Sequence, residues 1–130
     1  MFFSIDPSDG LAIYDQIVRQ VKFAVASGAV KPGELIASVR ELARELAINP
    51  NTVARAYRQL QAEGVLQSLR GTGLAVAGQA AKQCRGERVE LIRARFRQVL
   101  TEAKQSRLDA DELRSLIEQE LAAIELAAVE

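Results

Sequence analysis

The sequence predicts a mainly α fold: a winged helix-turn-helix with a small β-hairpin wing, followed by two C-terminal dimerisation helices. Three observations carry this expectation. Residues 38–63 read as two short helices with marked starts around a tight turn. Residues 65–76 read as two β-prone runs around a glycine-rich turn. From Gln79 onward the apolar residues recur at helical spacing almost to the end of the chain. The expected division is a winged helix-turn-helix over residues 1–78 and a helical dimerisation tail over residues 79–130.

In order, the apolar start at residues 2–5 suits a strand or a plug, and Asp6-Pro7-Ser8-Asp9-Gly10 is a turn cluster. Tyr14, Ile17, Val18, Val21 and Val25 then share one helical face, with Asp15, Arg19 and Lys22 between them, until Ser27-Gly28 closes the run. This helix is expected to pack beneath the helix-turn-helix. Lys31-Pro32-Gly33 turns the chain, and residues 34–37 are long enough for a brief strand that pairs with the wing.

The next helix places Val39, Leu42, Ala43, Leu46 and Ala47 on one stripe. Ser38 and Glu41 have the spacing of a capping box, in which each side chain takes up the other's backbone N–H. Asn49 is a favoured N-cap for the helix after it, and Pro50 at the first helical position loses only an N–H that has no helical partner. Gly64 ends that helix. Its Val53, Ala56, Tyr57 and Leu60 face inward. At about 100° per residue, Asn51, Arg55, Arg58 and Ala62 lie opposite, with Thr52 and Gln59 at the edge. No acidic side chain interrupts that outward face before Glu63.

After residues 65–69, Arg70-Gly71-Thr72-Gly73 turns the chain and residues 74–76 return it as a second strand. In the tail, Val89, Ile92, Phe96, Val99, Leu100 and Ala103 form a long stripe that starts after Gly86 or runs through it. Residues 106–108 interrupt. Asp109 and Glu112 again have capping-box spacing, and Leu113, Leu116, Ile117, Leu121, Ile124 and Leu126 give the last helix its apolar face. Two such stripes exceed what a small winged helix can cover, so a homodimer through these helices is expected.

Composition narrows the chemistry. At 130 residues and 48% hydrophobic the chain has room for one ordinary domain or a small one with an appendage. It has one cysteine, Cys84, and no histidine, which excludes an internal disulfide and leaves no histidine-based zinc site or nucleophile–His pair. No enzyme, metal or cofactor is expected. Cys84 beside Arg85 leaves redox sensing open. The start lacks a basic signal segment and no apolar run is long enough to span a membrane, so a cytoplasmic, nucleoid-associated location without membrane contact is expected.

Seventeen basic and seventeen acidic residues cancel, but they are unevenly spread. Residues 36–73 carry Arg40, Arg44, Arg55, Arg58 and Arg70 against three glutamates, residues 82–97 carry six basic residues against two acids, and from Asp109 onward seven acids face only Arg114. A short helix that offers amide, hydroxyl and guanidinium groups from its first turns suits a major groove, where Asn pairs with adenine and Arg with guanine. An arginine between flexible residues at a wing tip suits close approach to a phosphate backbone or minor groove. The alternatives are a helical hairpin with a solvated face, and a winged-helix protein-interaction or architectural module without operator specificity.

The motifs together resemble GntR-family bacterial transcription regulators. The resemblance runs from Ile13-Tyr14 and Gln16-Ile17, through Gly28 and Pro32-Gly33, to Ile36-Ala37-Ser38-Val39-Arg40-Glu41-Leu42-Ala43, then Asn49-Pro50-Asn51-Thr52-Val53, Ala56-Tyr57-Arg58-Gln59-Leu60, Glu63-Gly64 and Gly71-Thr72-Gly73. It implies a repressor-type protein on double-stranded operator DNA, with contacts at Ser38, Arg40, Asn49, Asn51, Thr52, Arg55, Arg70 and Gly71. Arg58 and Thr72 join these as candidates from their places on the outward face and in the wing turn. Pro50 stands where many members carry Arg, which shifts base reading to Asn51 and Arg55. The short tail is similar to that of the YtrA subfamily, whose members are dimeric and often control transporter operons. A small-molecule effector remains open, and no residue pattern demands one.

Overall fold

A computed structural model of the chain describes residues 3–8 and 10–129. Phe2 and Asp9, assigned above to the apolar start and the first turn, lie outside those residues. The elements run α1 (Ile13–Ser27), α2 (Val39–Leu46), α3 (Pro50–Ala62), β1 (Leu66–Leu69), β2 (Gly73–Val76), α4 (Ala80–Gln105) and α5 (Ala110–Val129). This is the mainly α winged helix-turn-helix with two further helices that the periodicities predict. The chain divides into two compact units, one through Val89 and one from Glu90.

The first unit has one core. Ile17, Val21 and Val25 of α1, Leu42 of α2, and Val53, Ala56, Tyr57 and Leu60 of α3 close on Val65, Leu66 and Val76 of the wing. Ala80 and Cys84 from the first turns of α4 belong to the same core, so this unit extends past the change of composition at Gln79. Each fully buried Leu or Ile here contributes about 1.5–3 kcal/mol of transfer free energy.

The caps form as their spacing indicates. Glu41 donates its backbone N–H to Ser38 Oγ at 3.1 Å, and the Ser38 N–H returns to Glu41 Oε1 at 3.4 Å. Asn51 donates its N–H to Asn49 Oδ1 at 2.8 Å. Between α2 and α3 the chain turns at Ala47, whose φ of 55° is a left-handed conformation that costs a non-glycine residue energy.

β1 and β2 pair antiparallel with Leu69 opposite Gly73. The expected strand at residues 34–37 is reduced to one bridge, Leu35 with Ala75, flanked by Ile36 N–H to Leu74 O at 2.9 Å and Val76 N–H to Glu34 O at 3.0 Å. The turn at Pro32-Gly33 and the cap at Ser38 leave too little chain for more.

The N-terminal segment is a plug. Phe3 and Ile5 pack on the core, and two α1 side-chain amides do what a neighbouring strand would do. Gln20 accepts from Ser4 N–H at 2.8 Å and donates to Ser4 O at 2.7 Å. Gln16 repeats the pattern on Asp6 at 2.9 and 2.8 Å.

In the second unit, α4 and α5 are joined by a turn in which Arg107 takes a φ of 66°. Asp109 Oδ1 caps α5 by accepting Glu112 N–H at 2.8 Å. The helix α4 is continuous through Gly86; Ala80 and Cys84 before it are buried, whereas Val89, Ile92, Phe96 and Val99 after it are exposed. Among the described residues no helix is long and apolar enough to cross a membrane, and no group of three acidic, cysteine or histidine residues gathers to hold a metal.

Candidate nucleic-acid interface

α3 divides as its sequence indicates: Val53, Ala56, Tyr57 and Leu60 are buried, while Asn51, Arg55, Arg58 and Gln59 are exposed and Thr52 is half-buried. The helix is held from beneath. Tyr57, 2% exposed, donates its hydroxyl to Ala37 O at 2.7 Å and so ties α3 to the chain entering α2. Burial pushes the Tyr57 phenol well above its ordinary pKa, and Glu41 and Glu45 add to the shift. The phenol therefore stays a protonated donor throughout the useful pH range.

The end of α3 is fixed by a polar cluster that sequence reasoning missed. Lys22 of α1, its side chain 7% exposed, donates Nζ to Glu63 Oε1 at 2.6 Å and to Glu87 Oε2 at 2.9 Å. Gln83 of α4 donates Nε2 to Glu63 O at 2.9 Å and to Glu87 Oε1 at 3.2 Å, and Gln59 donates to Glu63 Oε2 at 3.0 Å. The partners of Lys22 stand 41 and 65 residues away along the chain, and local periodicity carries no signal at that range.

Other expected contact residues divide into two kinds. Ser38 and Asn49 are exposed but spend a side-chain oxygen on capping, which leaves the Asn49 amide N–H groups for a ligand. Arg40, Arg70, Gly71 and Thr72 are exposed. The wing turn is pinned by Thr72 N–H to Leu69 O at 2.9 Å, with Gly71 at a φ of 76° that favours glycine. Ser38 and Thr72 line one shallow cleft with Leu35, Tyr57 and Leu74, so the start of α2 and the wing turn are neighbours. Arg55 is not a free arm, because its guanidinium carbon lies 3.8 Å from the centroid of the Tyr14 ring. Tyr14 is legible in sequence only as a packing residue of α1.

Cys84 is 1% exposed, and burial pushes its thiol up, with Glu87 adding to the shift. Such a thiol is a packing group rather than a reactive one. In the second unit Leu100 and Leu113 are half-buried, whereas Ile92, Phe96, Val99, Leu116, Ile117, Leu121 and Ile124 are exposed, Phe96 at 50% and Ile124 at 65%; Val89, at the end of the first unit, is exposed too. A cleft of about 630 Å³ runs between α4 and α5, lined by Phe96, Leu100, Leu113, Ile117 and Ile124 among others.

Two capped short helices, the second with a polar and cationic outer face, and a hairpin beside them define a winged helix-turn-helix DNA-binding regulator. The chain belongs to the GntR family. Residues 13–76 match the family described as bacterial regulatory proteins, gntR family. Over 115 residues the chain is 34% identical to the HTH-type transcriptional repressor YtrA of Bacillus subtilis (strain 168), covering 88% of each protein. Among solved structures, a transcriptional antiterminator from Listeria monocytogenes EGD-e matches with a TM-score of 0.66 at 29% identity, over 92% of this chain and 90% of that one. YtrA from Sulfolobus acidocaldarius, a GntR-family transcription factor, matches with a TM-score of 0.56 at 27% identity, over 94% and 98%. The N-terminal domain of AraR, in complex with mutant ORR3, matches with a TM-score of 0.50 at 26% identity, over 54% of this chain and all of that one. The chain is accordingly a transcription regulator of this family and not an enzyme.

Proposed function

We propose that the chain is a homodimeric repressor that binds an inverted-repeat operator, and that the operator controls a transporter operon. The observation that carries the DNA reading is the outer face of α3, where Asn51, Arg55 and Arg58 are exposed on a helix whose inner face and both ends are fixed. Asn51 and Arg55 read base edges from the first turns of α3, with Thr52 and Asn49 at its start. Arg40, Arg58 and Arg70 meet phosphates, and Ser38, Gly71 and Thr72 let backbone approach them closely.

The dimer is supported by apolar surface. Val89, Ile92, Phe96, Val99 and Leu100 of α4, and Leu113, Leu116, Ile117, Leu121 and Ile124 of α5, leave more apolar side chain in water than an isolated helical pair tolerates. Helix-turn-helix dimers bind half-sites about 34–36 Å apart, one turn of DNA, and a two-fold pair calls for an inverted repeat. The transporter target follows from the resemblance to the YtrA subfamily.

Selection of duplexes from a randomised library by the full chain tests the reading. The expected product is one inverted repeat, bound about a thousandfold or more above random duplex. Light scattering on the free protein is expected to give twice the 14.2 kDa chain mass. Equal affinity for every duplex, or a monomer that binds one half-site, would overturn the proposal.

A further inference from the structure

Tyr14 lies in the first turn of α1, outside the helix-turn-helix. Its ring packs against the core, half-buried, next to the fully buried Ile17 and the nearly buried Val18. Arg55 projects from the outer face of α3 and its guanidinium lies over that ring, 3.8 Å from the centroid. This is face-on cation–π geometry. Among the described residues the Arg55 guanidinium donates no hydrogen bond and joins no ion pair.

We propose that Tyr14 is a positioning residue for operator reading: its ring holds Arg55 by the flat face of the guanidinium and presents the N–H edge to the DNA. The proposal rests on Arg55 reading a base, as put forward above. The five donors of a guanidinium lie in its plane, so a stack through the face leaves all of them for a base edge. A carboxylate holding Arg55 in the same place would occupy two of those donors and carry negative charge toward the phosphates. The ring avoids both effects. An unsupported arginine has several rotatable bonds to fix when DNA arrives, whereas the stack fixes part of that freedom beforehand. The platform itself is anchored, because the body of Tyr14 belongs to the core packing of α1. Base preference thus depends on a helix outside the reading motif.

The test uses the full chain with Tyr14→Phe, Tyr14→Leu, Arg55→Ala and the double variant Tyr14→Leu with Arg55→Ala. Each is assayed on the duplex recovered by library selection and on random duplex of equal length. Thermal unfolding selects variants that retain the fold, and Leu keeps apolar bulk in place of the ring. Tyr14→Phe is expected to match the parent, since the phenyl face still binds the cation. Tyr14→Leu is expected to lose about two- to fivefold on the selected duplex only, and to flatten preference at the base positions that Arg55→Ala flattens. The double variant should bind no worse than Arg55→Ala alone. In the free protein the Arg55 Nε–H proton resonance should sit upfield in the parent and in Tyr14→Phe, and return to its ordinary position in Tyr14→Leu. Equal loss on both duplexes, additive effects in the double variant, or no ring-current shift would overturn the proposal. A parent chain that selects no sequence at all would instead bring down the operator reading on which it rests.

Discussion

Lys22→Met is the perturbation whose size the structure bounds best. Met keeps the unbranched apolar stem of Lys22 inside the core and removes the ammonium that bridges Glu63 and Glu87. Removing one partner of a fully buried ion pair costs about 3–5 kcal/mol, because the remaining charge is stranded, while exposed pairs contribute about 0–1 kcal/mol. This cluster lies between those limits. The ammonium is buried at 7% exposure, but the carboxylates of Glu63 and Glu87 are 32% and 36% exposed and so reach water. Gln59 and Gln83 also keep one hydrogen bond on each carboxylate after the change. The expected loss is about 2 kcal/mol, or roughly 10 °C in Tm.

The pH dependence has a definite sign. Burial by itself lowers the ammonium pKa of Lys22, and the hydrogen bonds it donates to Glu63 and Glu87 more than offset that, so the net shift is upward. Its contribution is complete below about pH 10.4 and is lost as pH rises through the raised value. The hydrogen bond from Lys22 holds Glu87 below the ordinary carboxylate range. Its contribution is complete above about pH 4.3 and is lost as pH falls through the depressed value. Urea unfolding from pH 3 to 7 is the assay, with parent and variant compared at each pH. The gap should be widest near neutrality and narrow in acid. A variant as stable as the parent at neutral pH, or a gap that grows in acid, would refute the reasoning.

Other outcomes are expected at the interface and in the core. Arg55→Ala or Asn51→Ala should cost about 1–3 kcal/mol on the selected operator and relax one base position each, measured by titration against single-base variants. Arg40→Ala and Arg70→Ala should weaken selected and random duplexes alike and lower the salt slope of binding by about one unit each. Tyr57→Phe should cost about 1 kcal/mol in urea unfolding, since it strands the Ala37 carbonyl bond. Cys84 should resist thiol reagents in the folded chain and react fully in urea, and Cys84→Ser should leave DNA binding unchanged after oxidant treatment.

The helices, their caps and the inner and outer faces of α3 were legible because each is set within a few residues. Ser38 with Glu41, Asn49 with Pro50, and Asp109 with Glu112 are interactions of near neighbours, and a 3.6-residue period sorts Tyr57 inward and Arg58 outward without reference to the rest of the chain. The contact roles of Asn51, Arg55 and Arg70 rest on that same local logic and on the family pattern. The strand expected at residues 34–37 came out shorter because its extent depends on β2, a partner whose edge is placed only on folding. Tyr14 looked like an ordinary member of an apolar stripe, since nothing near it in sequence announces Arg55.

The sequence by itself determined the helices and the wing, the inner and outer faces of α3, and the family to which the chain belongs, because those follow from neighbouring side chains and recurrent motifs. Only the tertiary structure decided that Lys22 locks Glu63 to Glu87, that the first turns of α4 complete the core, and that Tyr14 carries Arg55. Those contacts join groups tens of residues apart, where chain entropy leaves many pairings open and packing of the whole core selects one.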